Sequence, residues 1–213
     1  MSVTFRETRT YGGMVGAGLL DAAGGVATIV LAICGLTGIH PPILASVAVI
    51  VLGAELIARG AMIASVLSTA ATESAADLAL MGESGGGLAA LFLAGLGGVT
   101  LGVLALLGVA ELVLTAVATI AFGVALVLSN GSGAIMLSAD STAMGEGSLV
   151  AESVPAVAGL VAIVLGILAL VLMGKAASGL SLILAALLIL GAAVVVSGSG
   201  MGLMMQSLAR RGE

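Results

Sequence analysis

Long apolar stretches, each about as long as a membrane-crossing helix, alternate with short polar segments along this chain. A helix needs ~20 apolar residues to cross a hydrocarbon core ~30 Å thick, whereas the strands of a membrane barrel give short alternating patterns. The pattern predicts an all-α integral membrane protein, with residues 1–213 forming a single membrane domain. The six predicted transmembrane helices span about 15–38, 42–65, 87–107, 111–129, 154–174 and 178–200.

The turns after the first, third and fifth predicted helices are very short. They predict three antiparallel helical hairpins, in units of about 13–65, 81–129 and 144–200, joined by connections of about 66–86 and 130–153. The second helix of each unit has a glycine near its middle, which indicates three copies of one hairpin. These glycines are Gly53, Gly123 and Gly191.

Composition narrows the function classes. The chain is 61% hydrophobic and 8% charged, with one cysteine and one histidine. This supply is too small for a metal site of ordinary ligand number, and no nucleophile stands beside a base. We therefore expect no enzymatic activity, no catalytic residue, no metal and no cofactor.

The few basic residues predict the orientation. Arg6 and Arg9 precede the first span, Arg210 and Arg211 follow the last, and Lys175 lies on the far side. Because positive residues favour the cytoplasm, both termini are predicted to be cytoplasmic. The two connections would then be cytoplasmic too. They carry acidic residues without a Lys or Arg, which argues against docking of these connections onto anionic lipid or nucleic acid. The lipid bilayer around the spans is an expected partner, and no nucleic acid is.

Three ionisable residues inside the first hairpin form the main candidate site. If the chain turns near residue 40, Asp21 on the first helix lies level with Arg59 on the second, and Glu55 is one helical turn from Arg59. Two acids around one arginine leave a surplus negative charge, so Glu55 is the candidate to exchange a proton. In the alternative interpretation, Arg59 extends to the membrane surface and only joins the two helices.

Two further groups of residues are candidates. A histidine changes charge between about pH 5 and 8, so His40 at an outer turn is a possible sensor of external acid or simply a solvated turn residue. Glycines four residues apart allow close helix packing, either within the bundle or in a homo-oligomer. The pairs with this spacing are Gly12 and Gly16, Gly98 and Gly102, and Gly198 and Gly202.

The first hairpin resembles a known family. The segment from Gly35 to Gly60, with prolines after the turn and a Val-Leu-Gly-Ala-Glu-Leu-Ile-Ala-Arg-Gly stretch over 51–60, is similar to HdeD-like acid-resistance membrane proteins. These are six-span proteins built from a short repeat of uncharacterised function. The second and third copies match more loosely. The resemblance implies a bacterial inner-membrane protein linked to stress or acid tolerance.

Three functions are consistent with the sequence. The first is a non-catalytic scaffold or accessory subunit, assembled with itself or with partner membrane subunits. The second is a small proton-coupled transporter or channel that uses Asp21, Glu55 and Arg59. The third is an accessory subunit of a respiratory or photosynthetic membrane complex, favoured by the scarcity of aromatic residues.

Overall fold

The protein is built from α-helices throughout the part of the chain that the structure describes. This computed structural model describes residues 22–70, 77–137, 146–172 and 176–211. Five of the described helices are each long and apolar enough to cross a membrane, so the chain is a multi-pass helical membrane protein. The helices are α1 (Ala22–Leu36), α2 (Pro41–Ala70), α3 (Asp77–Leu106), α4 (Glu111–Leu137), α5 (Glu146–Val171) and α6 (Ala176–Arg211).

Helices α2 to α6 are longer than their apolar parts, and nearly all of the additional residues lie at one end of the bundle. The apolar parts are Pro41–Ala61, Ala89–Leu106, Glu111–Ser129, Val154–Val171 and Ser178–Ser197. Helix therefore occupies much of the predicted connections 66–86 and 130–153. No glycine or proline stands between residues 61 and 81, so nothing in the sequence of α2 ends the helix where the apolar residues end.

Two tight turns with matching backbone conformation lie at the other end of the bundle. Gly38 and Gly108 have φ of 92° and 83°, and two residues later His40 and Ala110 have φ of 43° and 40°. The first position favours glycine because other residues rarely adopt positive φ. Pro41 then begins α2, where the absence of an amide proton costs nothing. We call this end the turn side, and the opposite end the connection side.

The six helices form a closed ring in which three inner helices, α2, α4 and α6, alternate with three outer helices, α1, α3 and α5. Helices α2, α4 and α6 contact one another. Helix α3 packs against α2 and α4, and α5 packs against α4 and α6. Helix α1 completes the ring, because it contacts α2 through Gly24 and α6 through Gly25 and Gly35.

One close glycine contact occurs at three helix crossings. In each, a glycine from an inner helix faces a glycine from an outer helix, and a methyl group on either would lie 2.5–3.0 Å from the carbonyl oxygen of the other. Small residues of this kind let membrane helices approach closely, where van der Waals contact holds them together. The pairs are Gly53 with Gly95, Gly123 with Gly159, and Gly191 with Gly25.

Side chains on the three inner helices fill the centre of the bundle. The three inner helices can be aligned at Gly53, Gly123 and Gly191. Four aligned positions on one helical face then hold a fully buried residue in all three helices, which gives four sets of three residues. The sets are Ala45, Thr115 and Ile183; Val49, Thr119 and Leu187; Leu52, Phe122 and Leu190; and Leu56, Leu126 and Val194. The centre is therefore packed over three helical turns.

Phe122, the largest of these residues, faces a glycine on the outer helix α3. A methyl group on Gly98 of α3 would overlap the ring of Phe122. Gly98 is three residues after the crossing glycine of α3, and the other outer helices have larger residues at this position, Thr28 on α1 and Ala162 on α5. On the inner helices, Leu52 and Leu190 take the place of Phe122. Gly98 is therefore required by the size of Phe122.

We predict that Gly95→Ala destabilises the protein and that Gly97→Ala does not. The added methyl of Gly95→Ala meets the Gly53 carbonyl oxygen at 2.8 Å, which costs about 1–3 kcal/mol as overpacking. Gly97 lies on the same helix with nothing within 4 Å of the new methyl, so it is a matched control. Unfolding in micelles with increasing dodecyl sulfate, followed by circular dichroism, measures the difference. Equal midpoints for the two variants would contradict the close contact.

We also predict that Phe122→Leu rescues Gly98→Ala. The single variant Gly98→Ala is destabilised by overlap with the ring, whereas Phe122→Leu alone leaves a gap. Together they reproduce the combination of Ala162 with Leu190 on α5 and α6. A double-mutant cycle from unfolding midpoints should give a favourable coupling of about 0.5–3 kcal/mol. Simple additivity of the two effects would count against this pairing.

Candidate charged site

The two described charged residues within the apolar part of α2 stand at positions where the other inner helices are uncharged. Glu55 and Arg59 follow Gly53 by two and six residues. After Gly123, α4 has Ala125 and Ser129 at these positions, and after Gly191, α6 has Ala193 and Ser197. Among the three inner helices, α2 alone thus has charged residues at these two positions.

Glu55 is buried between α2 and α1. It is 6% exposed, and solvent does not reach either carboxyl oxygen. A methyl group on Gly24 would lie 2.7 Å from Glu55 Oε2 and 2.9 Å from its Cδ. The carboxyl group therefore occupies the space that a side chain at position 24 would take. The contact also agrees, within one residue, with the register predicted from a turn near residue 40.

Gly24 is itself an exception among the outer helices. It stands one residue before Gly25, and the residues one before Gly95 and Gly159 are the buried alanines Ala94 and Ala158. Glu55 on α2 is larger than the alanines at its position on α4 and α6, and Gly24 on α1 is smaller than the alanines at its position on α3 and α5. Gly24 was not predicted as a site residue from the sequence, and its departure from alanine is the signal that distinguishes it.

Arg59 reaches the neighbouring inner helix. Its Nη2 donates a hydrogen bond to Oγ of Ser197 on α6 at 3.0 Å, and Ser197 Oγ donates to the Val194 carbonyl oxygen at 3.0 Å. Arg59 is partly buried and lies one turn nearer to the connection side than Glu55. The structure thus directs Glu55 towards α1 and Arg59 towards α6. Asp21, the third predicted member of the cluster, lies outside the described residues.

The buried hydroxyl groups hydrogen-bond within their own helices. Thr28, Ser46, Thr115 and Thr119 are fully buried, and each donates to the carbonyl oxygen four residues earlier at 2.8–3.0 Å. A membrane helix satisfies such groups locally when no water is near. These four hydroxyls thus have partners that need no water inside the bundle.

The other predicted site residues lie apart from the charged pair. His40 is exposed in the first turn, far along α2 from Glu55. Gly98 and Gly102 are both buried but face different helices, since Gly98 meets Phe122 of α4 whereas Gly102 meets Ile50 of α2. Gly198 and Gly202 lie in α6 beyond the part whose side chains are described. Gly12 and Gly16 lie outside the described residues.

Within the described part of the chain, no group of three His, Cys, Asp or Glu side chains could hold a metal ion. In comparisons with known proteins, no family model, curated protein or solved structure matches this chain.

We predict that Ser197→Ala lowers the stability of the bundle and that Ser181→Ala does not. Ser197 accepts a hydrogen bond from a partly buried guanidinium, and bonds to charged groups contribute about 1.5–3 kcal/mol. Ser181 is an exposed serine of the same helix that donates to the Ser178 carbonyl oxygen. Unfolding midpoints in mixed micelles measure the effect. No difference between the two variants would show that the contact contributes nothing to stability.

Proposed function

We propose that this protein is a non-catalytic membrane scaffold or accessory subunit built from three copies of one transmembrane hairpin. The packed centre of the bundle carries the proposal. Four sets of three fully buried side chains occupy the place where a channel along the ring axis would run. A bundle with a filled centre is better suited to a protein that binds partners than to a protein that conducts solutes.

The three glycine crossings support six spans and a triplicated hairpin. The described part of α1 has fifteen residues, about 22 Å at ~1.5 Å per residue, and apolar residues precede it in the sequence. Gly25 of α1 contacts Gly191 of α6 in the same way as the glycines of α3 and α5 contact their partner glycines on α2 and α4. We therefore propose that α1 crosses the membrane as α3 and α5 do.

We further propose a bacterial inner membrane, with both termini and the connection side in the cytoplasm. The distribution of arginines supports the orientation, because Arg210 and Arg211 lie near the end of α6 on the connection side. The resemblance of residues 35–60 to HdeD-like proteins supports the membrane and a link to stress or acid tolerance.

The third function from the sequence, a subunit of a respiratory or photosynthetic complex, is a special case of this role. Large apolar side chains on the outer helices are exposed, including Ile33, Leu93 and Val164. They suit lipid or another membrane protein equally, so only the identity of the partner separates this case from a homo-oligomer.

Native mass spectrometry of the protein, purified in mild detergent from its own membrane, tests the scaffold role. We expect one defined complex, either a homo-oligomer or a complex with other membrane subunits. The control is the same preparation after brief exposure to dodecyl sulfate, which should separate the complex. A monomer without companions that carries protons into liposomes would contradict the proposal and favour the transporter.

A further inference from the structure

We propose that the ring opens laterally between α1 and α6, so that α1 moves away from α6 and lipid acyl chains enter the gap. Among the described helices, α1 and α6 are neighbours in the ring without being consecutive in the chain, whereas the other five neighbouring pairs are consecutive. The inference goes beyond the scaffold role and does not depend on it, because it concerns how one contact of the ring is held.

All three glycine crossings are covered by side chains in the same way. The glycine of each helix contacts a β-branched residue that stands four positions after the glycine of the other helix. In the crossing of α6 with α1, Val195 contacts Gly25 and Ile29 contacts Gly191. Each crossing has one isoleucine and one valine, so the crossings themselves do not distinguish α1 from α3 and α5. The other pairs are Ile57 with Val99 and Val127 with Ile163.

A second glycine brings the backbones of α3 and α5 close to their inner helices, and α1 has alanine in its place. Seven residues after the crossing glycine, or about 10.5 Å along the helix, α3 has Gly102 and α5 has Gly166. A methyl group on Gly102 would lie 3.1 Å from the Ser46 carbonyl oxygen, and a methyl group on Gly166 would lie 3.4 Å from that of Ala116. The residue at this position of α1 is the buried Ala32.

The facing residues on the inner helices differ together with the glycine. Ile50 on α2 and Ile120 on α4 contact the second glycine, and each Cγ1 atom is 2.6 Å from the place where the methyl group of an alanine would lie. Leu188 stands at this position on α6, three residues before Gly191. The methyl group of Ala32 therefore excludes the close approach that the other two outer helices make.

The further glycine of α1, Gly35, contacts a side chain instead of a backbone. The atoms nearest to a methyl group on Gly35 belong to Leu184, whose Cδ2 would lie at 2.8 Å. A leucine side chain can adopt other rotamers, whereas a carbonyl oxygen within a helix is fixed. Because van der Waals contact holds membrane helices together, α1 with one close backbone contact should separate from its inner helix more easily than α3 or α5 with two.

Thr28 lies at the contact between α6 and α1 and can report its opening. It is fully buried, and its Cβ would lie 3.3 Å from a methyl group on Gly191. Ala162 stands at the corresponding position of α5 and is also fully buried, so it is a matched control. N-ethylmaleimide labelling of Thr28→Cys and Ala162→Cys, each in a Cys34→Ser background, is measured in lipid vesicles and divided by the rate in dodecyl sulfate. We expect the corrected rate of Thr28→Cys to be at least about tenfold higher, equivalent to about 1.4 kcal/mol in the opening equilibrium.

An exchange of residues between the two contacts tests the cause. Ala32→Gly with Leu188→Ile gives the contact of α6 with α1 the residues of the other two contacts, so it should slow labelling of the cysteine on α1. Gly166→Ala with Ile120→Leu gives the contact of α4 with α5 the residues found between α6 and α1, so it should speed labelling of the cysteine on α5.

Equal corrected rates for Thr28→Cys and Ala162→Cys would overturn the proposal. A Thr28→Cys rate that is unchanged by Ala32→Gly with Leu188→Ile would overturn it too. An overpacked cysteine on α5 would speed its own labelling, so poor packing of the control lowers the expected contrast and cannot create it. If Ala162→Cys does not fold, the effect of the paired substitutions on Thr28→Cys decides alone.

Discussion

Close approach of helix backbones is the constraint on which this bundle depends. Lipid tails are as apolar as leucine side chains, so burial of apolar surface gives little drive for membrane helices to associate, and van der Waals contact must do so instead. The three glycine pairs bring an outer helix against an inner helix at matching heights. In the same bundle the inner helices contact each other, and their large side chains fill the centre.

The three glycine contacts bring the backbones together in the same way, but the side chains beside them differ. Where an inner helix has a large residue, the outer helix has a small one, as in Phe122 beside Gly98 and Glu55 beside Gly24. The first pair changes only shape, whereas the second brings an ionisable group into the membrane. One of three similar helix contacts thus differs from the other two by a buried ionisable side chain.

The sequence predicted the apolar helices well because a membrane-crossing helix needs a long continuous apolar stretch, which few other structures share. The predicted span 111–129 and the apolar part of α4, Glu111–Ser129, coincide. The helix ends were less predictable on the connection side, since helices there continue beyond the hydrocarbon region. The charged residues were found from their cost in a membrane. Their partners were harder to find, because Gly24 and Ser197 carry no charge and only the packing brings them to Glu55 and Arg59.

Closure of the ring between α1 and α6 is the most direct test of this account. A Cβ atom on Gly191 would lie 3.3 Å from Cβ of Thr28, close to the spacing in a disulfide. The full-length protein with Thr28→Cys and Gly191→Cys, in a Cys34→Ser background, should form an intramolecular disulfide under mild oxidation in membranes. Thr28→Cys with Gly97→Cys serves as the unpaired control. Failure of the first pair to cross-link within one chain, or cross-linking only between chains, would contradict the closed ring.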